Sequence, residues 1–180
     1  VTFSKDNEIL IKVPWMFLGY YGLNMENYFI NEKYRSGDLG KFDEKNCLLI
    51  TGRKKDIIIK GGLNISPKEI EDCIYSLNMI DEVLIIGIKD EILGEKIVCM
   101  YVSEIKENSD KIKLINKKII QKLGIEYHID EFVKIDKIPK NNNGKLDRLT
   151  AKENYQNLKR YWISKYNMHV PSDLIIQLND

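Results

Sequence analysis

Cysteine is scarce in this 180-residue chain, and Cys47, Cys73 and Cys99 are odd in number and widely spaced. They exclude a disulfide scaffold and fit a reducing cytosol, so a cytoplasmic location is expected. Histidine occurs only at His128 and His169, which form no ligand cluster with the cysteines, and this excludes a zinc site. An excess of one charge is also missing. Lys and Arg total 28 against 27 Asp and Glu, for a net charge of +1. That balance gives no electrostatic case for a nucleic-acid or acidic-membrane partner. Charges interrupt every apolar run before it reaches spanning length, which excludes a transmembrane helix. The opening residues lack a basic stretch followed by an apolar one, so no signal peptide is expected. Alanine occurs once, at Ala151, and arginine four times, at Arg35, Arg53, Arg148 and Arg160. Against 24 lysines such sparse arginines are informative, because arginine is kept where its planar fork matters.

What is present is a folding composition. Hydrophobic residues make up 43% and charged residues 31%, enough for a core without covalent staples. Residues 8–13 read as a strand that ends at Pro14. The glycine-bearing segment 34–40 reads as a loop. Residues 47–51 and 57–60 read as short strands closed by Gly52 and by Gly61-Gly62, a hairpin-like crossing between two small units. Ser66, Pro67 and Glu69 spell a capping box with proline at its preferred first position. Ile70, Cys73, Ile74 and Leu77 then share one helical face. Residues 83–88 and 97–102 read as buried strands, 110–123 as a helix, 131–135 as a third strand and 149–166 as a last helix. The fold class is α+β. A boundary is expected near residues 52–55, and residues 56–150 are expected to pack helices on a three-stranded sheet beside a β-hairpin. Residues 1–52 are too short and too aromatic for a complete domain.

Generic catalytic signatures are absent: no G-x-G-x-x-G, no H-E-x-x-H and no G-x-S-x-G. Gly144-Lys145 resembles the end of a P-loop, but Pro139 stands where glycine is needed and Leu146 where Ser or Thr is needed. Three features remain. Asp38, between two glycines, suits the two hydroxyls of a ribose, although by itself the pattern favours a turn aspartate satisfying its own backbone. Arg53 suits a phosphate or ribose edge, or a surface ion pair. Lys145 follows a flexible Asn/Gly turn that could swing its charge into a site, or leave it solvated.

Taken in order, five stretches resemble one family. They are Tyr34-Arg35-Ser36-Gly37-Asp38-Leu39-Gly40, Gly52-Arg53-Lys54-Lys55-Asp56, Lys60-Gly61-Gly62, Ile65-Ser66-Pro67-Lys68-Glu69-Ile70-Glu71, and Pro139-Lys140-Asn141-Asn142-Asn143-Gly144-Lys145-Leu146-Asp147-Arg148. Gly19-Tyr20-Tyr21 adds a sixth element. Together they resemble the C-terminal part of the adenylate-forming superfamily, and in Leu63-Asn64-Ile65-Ser66-Pro67 they are more similar to acyl- and aryl-CoA ligases than to peptide-synthetase adenylation domains.

The resemblance implies the end of a large, β-rich N-terminal domain over residues 1–52, a hinge at 53–55, a C-terminal lid domain over 56–150, and a helical tail over 151–180. It implies that Asp38 and Arg53 bind ATP and AMP, that Lys55 is the hinge residue, and that Gly61 and Gly62 flank the pantetheine arm of CoA. It implies Lys145 as the catalytic lysine of adenylate formation. The implied substrates are ATP, CoA and a carboxylic acid, with Mg2+ accompanying ATP but finding no ligands in this chain, and a carrier protein as an alternative acceptor. A non-catalytic partner-binding domain is the reading from a different class. Ser36 replaces the usual threonine and keeps its hydroxyl, while Lys55 is basic where many ligases are acidic. The family's phosphate loop and acyl pocket have no counterpart here, so the chain by itself is expected to be inactive. Tyr155, Leu158, Trp162 and Tyr166 form a possible helix face, expected to pack on the domain rather than bind a partner.

Overall fold

The computed structural model describes residues 1–102 and 109–166, the side chains of 109 and 161–166 excepted. The chain divides into two compact units, Val1–Lys55 and Asp56–Asp180.

The first unit is a five-stranded antiparallel sheet. Strands β1 (Thr2–Phe3), β2 (Glu8–Ile11), β3 (Phe29–Ile30), β4 (Lys33–Phe42) and β5 (Leu48–Arg53) all take part. The long β4 is central: β2 pairs one edge, while β3 and β5 share the other. Segment 34–40, expected as a loop, is therefore strand. Strands on both edges pair every residue of it but Ser36 and Gly37, and this outweighs the low strand preference of glycine. The irregularity survives as register shifts beside Leu39 and a positive φ of 73° at Gly37.

The second unit is also built on five strands: β6 (Ile58–Lys60), β7 (Leu63–Ile65), β8 (Glu82–Asp90), β9 (Gly94–Val102) and β10 (Glu131–Lys134). Its helices are α1 (Pro67–Tyr75), α2 (Ser109–Leu123) and α3 (Arg148–Tyr166). Strand β9 holds β8 antiparallel along its whole length on one edge, and on the other holds β10 in parallel and β6 through one residue pair, Lys60 with Gly94. The three expected strands are thus β8, β9 and β10, and the hairpin extends the same sheet. The hairpin joins β6 to β7 across Gly61-Gly62; residues 48–53 lie in the other unit's sheet.

Helices cover both faces, which explains why β8 and β9 read as continuous apolar runs. Val83, Ile85, Ile97, Cys99 and Tyr101 turn toward α1 and α2, with Ile70, Cys73, Ile74, Ile115 and Ile119. Leu84, Ile86, Val98 and Met100 turn the other way, onto Ala151, Tyr155 and Leu158 of α3. Helix α3 is thus an integral layer of this unit, although the sequence reading sets residues 151–180 apart as a tail. The packing expected of Tyr155 and Leu158 is found; the side chains of Trp162 and Tyr166 lie outside the described residues, as do residues 167–180.

Two local expectations change. Pro67 does start α1, but Ser66 makes no side-chain cap bond. Glu69, the other half of the expected box, instead accepts from the Tyr127 hydroxyl at 2.9 Å. Among the described residues no helix is long and apolar enough to cross a membrane.

Candidate functional site

In the first unit the polar candidates converge. Asp38 and Arg53 are directly opposed in the β4–β5 ladder, and Arg53 Nε lies 2.6 Å from Asp38 Oδ1. Both readings of the sequence are thereby joined: the ion-pair partner of Arg53 is the other nucleotide candidate. A carboxylate has about four lone-pair positions, so this contact leaves capacity for two hydroxyl donors. Asp38 is a quarter exposed, accessible yet held in place. Its backbone is fixed by Ser36, whose hydroxyl accepts from Asp38 N at 3.0 Å and donates to Ile9 O at 2.9 Å. The hydroxyl kept at position 36 thus ties the Asp38 segment to β2.

The same sheet holds a residue the sequence reading missed. Glu8 is buried at the start of β2 and accepts from Arg35 Nη2 at 2.9 Å, from Lys54 Nζ at 3.1 Å and from Gly37 N at 3.3 Å. Burial opposes its charge, but the Arg35 and Lys54 hydrogen bonds outweigh it and hold the carboxyl below its usual range. Lys54 also pairs with Asp6, whose carboxyl is lowered to about 2 chiefly by that bond. The only sequence signal for Glu8 was an acid opening an otherwise apolar strand. Tyr20 of the Gly19-Tyr20-Tyr21 element joins an aromatic cluster with Phe17, Tyr28 and Tyr34, and its hydroxyl lies 3.2 Å from that of Tyr34. Tyr21 is fully exposed.

Lys55 is the last residue of the first unit, exposed within a 3-10 turn, Lys54–Asp56. The remaining candidates belong to the second unit. Gly61 and Gly62 form the two-residue tip between β6 and β7, with φ of 58° and 80°. Two consecutive positive φ values are what a tight hairpin of matching twist requires, and glycine adopts them without strain. A side chain at either position would meet nothing within 4 Å, so conformation rather than crowding demands glycine here.

Lys145 lies on a separate turn, between β10 and α3, and is exposed. That turn is more tightly built than its Asn/Gly composition suggests. Asn141 N donates to Lys145 O at 2.8 Å, Gly144 N to Asn141 O at 2.8 Å, and Asn141 Oδ1 accepts from both Asn143 N and Lys145 N. Lys140 and Leu146 are bridged across its base. The backbone of Lys145 is thus presented on a closed hairpin-like tip.

Just beyond it, Arg148 opens α3 and ties this turn to the core. Its Nη2 lies 2.6 Å from Glu71 Oε1 of α1, its Nε donates to Ile85 O of β8 at 3.3 Å, and its Nη1 lies 3.8 Å from Asp56 Oδ2. Burial pushes the Glu71 carboxyl up, and Arg148 counters this. Among the described residues no group of three or more His, Cys, Asp or Glu side chains is arranged to hold a metal ion.

A strand pair presenting a carboxylate beside a guanidinium is followed in sequence by a small three-layer α+β unit. Residues 69–145 match the AMP-binding enzyme C-terminal domain family, and this match together with the relatives below identifies the C-terminal part of an adenylate-forming enzyme. It is 33% identical over 157 residues to 2-succinylbenzoate–CoA ligase of Listeria monocytogenes, covering 86% of this chain and 33% of that protein. It is 31% identical over 160 residues to medium-chain fatty-acid–CoA ligase of Escherichia coli, covering 82% of this chain and 27% of that one. Among solved structures, ATP-bound MatB from Rhodopseudomonas palustris superposes with a TM-score of 0.73 at 27% identity, over 88% of this chain and 32% of that one. The o-succinylbenzoate CoA synthetase of Bacillus subtilis, in complex with its acyl-adenylate intermediate, gives 0.70 at 27% identity, over 81% of this chain and 30% of that one. The chain spans about a third of the length of the curated relatives it matches.

Proposed function

We propose that this chain is the C-terminal part of an ATP-dependent acid–CoA ligase. The whole enzyme joins a carboxylic acid to the α-phosphate of ATP, releasing pyrophosphate, and then passes the acyl group from AMP to the CoA thiol. Asp38 accepts the ribose hydroxyls and Arg53 orients it while facing the nucleotide. Lys145 places an ammonium where negative charge develops as the carboxylate meets the α-phosphate. Gly61 and Gly62 let the backbone come close to the slender pantetheine arm. Lys55 is the hinge about which the small unit changes pose between the two half-reactions.

The observation that carries this reading is the Asp38–Arg53 pair, whose arginine stands two residues ahead of Lys55 and the unit boundary that follows it. The relatives support the acid–CoA ligase reaction over other adenylate chemistry, since those compared above by sequence bear CoA-ligase names. Exposed apolar side chains in the first unit, among them Trp15, Leu18, Tyr21 and Ile50, support its place within a longer chain that covers them. The test assays each half-reaction separately in the full-length enzyme. Lys145→Ala should slow acyl-AMP formation by about two to three orders of magnitude, as loss of one positioned transition-state charge does. Conversion of supplied acyl-AMP to acyl-CoA should remain nearly intact. Equal slowing of both steps would make Lys145 structural and defeat the assignment.

A further inference from the structure

We infer that Lys60 is a positioning residue for the thioester-forming step: by an inward ion pair with Asp130 it fixes the diglycine turn that it precedes. The inference rests on the CoA-ligase reading and deepens it.

Strand β6 runs Ile58-Ile59-Lys60, and successive side chains alternate between faces. Ile58 is buried and Ile59 exposed, so Lys60 falls on the inward side with Ile58. An inward lysine needs acceptors for its three protons. Lys60 Nζ finds them at Asp130 Oδ1 (2.7 Å), Asp130 Oδ2 (2.6 Å) and His128 O (2.8 Å), with only 12% of its side chain exposed. Asp130 is itself held in two directions. Its Oδ2 accepts from Ile97 N at 2.7 Å and its own N donates to Ile97 O at 3.0 Å, which locks it to the middle strand of the sheet.

This anchor matters because the hairpin has few others. Strand β7 is a sheet edge, and β6 reaches β9 through the single pair Lys60 with Gly94. Ile58 and Ile65 hold the base of the hairpin in the core. Polar contacts hold its tip: Lys60 to Asp130, Ile59 N to Glu95 Oε2 at 2.7 Å, and Gly61 N to Leu93 O at 2.8 Å. Of these the lysine contact sits immediately before the glycines, and its acceptor Asp130 is itself hydrogen-bonded to Ile97 of the middle strand. Glycines with no side-chain support get their orientation from such neighbours.

Two measurements test this. In the 180-residue chain, Lys60→Met should speed amide exchange at Gly61 by tenfold or more, while exchange at Ile85 and Val98 in the sheet centre stays unchanged. In the full-length enzyme, Lys60→Met should lower kcat/KM for CoA in the acyl-transfer step by ten- to a hundredfold and leave acyl-AMP formation within twofold. Lys60→Arg, whose fork also meets a carboxylate, should restore most of the loss. Asp130→Asn, a milder change that keeps an acceptor for Ile97 N, should give an intermediate deficit and guards against a misfolded Met variant. Unchanged Gly61 exchange, an unaltered CoA step, or an equal fall in both half-reactions would each overturn the inference. A wild-type enzyme that makes acyl-AMP but never acyl-CoA would instead overturn the proposed function, and the CoA role of Lys60 with it.

Discussion

Replacing Arg148 with methionine keeps most of the side-chain volume and removes the charge that faces Glu71. The Glu71 side chain is 8% exposed and Arg148 18%, and the two meet at 2.6 Å. After the change, Glu71 retains the Ile85 N donor at 2.9 Å and has lost its Arg148 countercharge. Breaking a buried pair on one side costs about 3 to 5 kcal/mol, because the remaining charge stays desolvated. With a urea dependence of about 2 kcal/mol per molar, the unfolding midpoint should drop by about 2 M. The chain has two units, so the transition should be followed through amide signals of Ile85 and Val98 in the second unit alone. The pH dependence carries a sign. Burial already raises the Glu71 carboxyl, and removal of Arg148 should raise it further. A carboxyl whose folded value exceeds its unfolded one costs nothing below the unfolded value, about 4.3, and costs progressively more as pH rises through the folded value. The Arg148→Met deficit should therefore be small at acid pH and grow toward neutrality. Glu71→Gln added to Arg148→Met should recover most of the stability. A loss under about 1 kcal/mol, a deficit independent of pH, or a double variant as poor as the summed singles would refute the reasoning.

Two further expectations concern the first unit and the hinge. Asp6 and Glu8 lie below their usual range through Lys54 and Arg35, so their stabilising effect is complete above about pH 4.5 and lost as pH falls toward about 2. Acid titration should release the β2–β4 amide signals of Leu10 and Leu39 across that window. Lys54→Met should move the release to higher pH, and no movement would show that the cluster does not hold the sheet. Lys55→Pro, which fixes φ in the turn ahead of the second unit, should trap one pose in the full-length enzyme. Acyl-AMP formation should survive and transfer to CoA should fail; retention of both steps would remove Lys55 as the hinge.

Much of this protein was decided within short stretches of sequence. The 3.6-residue recurrence of Ile70, Cys73 and Ile74 set α1 and the β-branched runs set β8 and β9, because each signal spans only a few residues; Gly61-Gly62 marked the end of β6, while its hairpin partner β7 was not read. The ordered motifs pointed to the family and to Asp38, Arg53 and Lys145 by the same local logic. What tertiary structure alone decided joins residues far apart in the chain. Lys60 meets Asp130 seventy positions away, Arg148 meets Glu71 at seventy-seven, and Glu69 leaves its expected cap for Tyr127 at fifty-eight. The glycine-bearing segment around Asp38 became a strand only because neighbours were available on both edges, and α3 became a core layer because the second face of the sheet needed cover. Local pattern fixes which face of an element is apolar or charged; which distant group satisfies it depends on how loops bring the elements together, and that choice leaves no local trace.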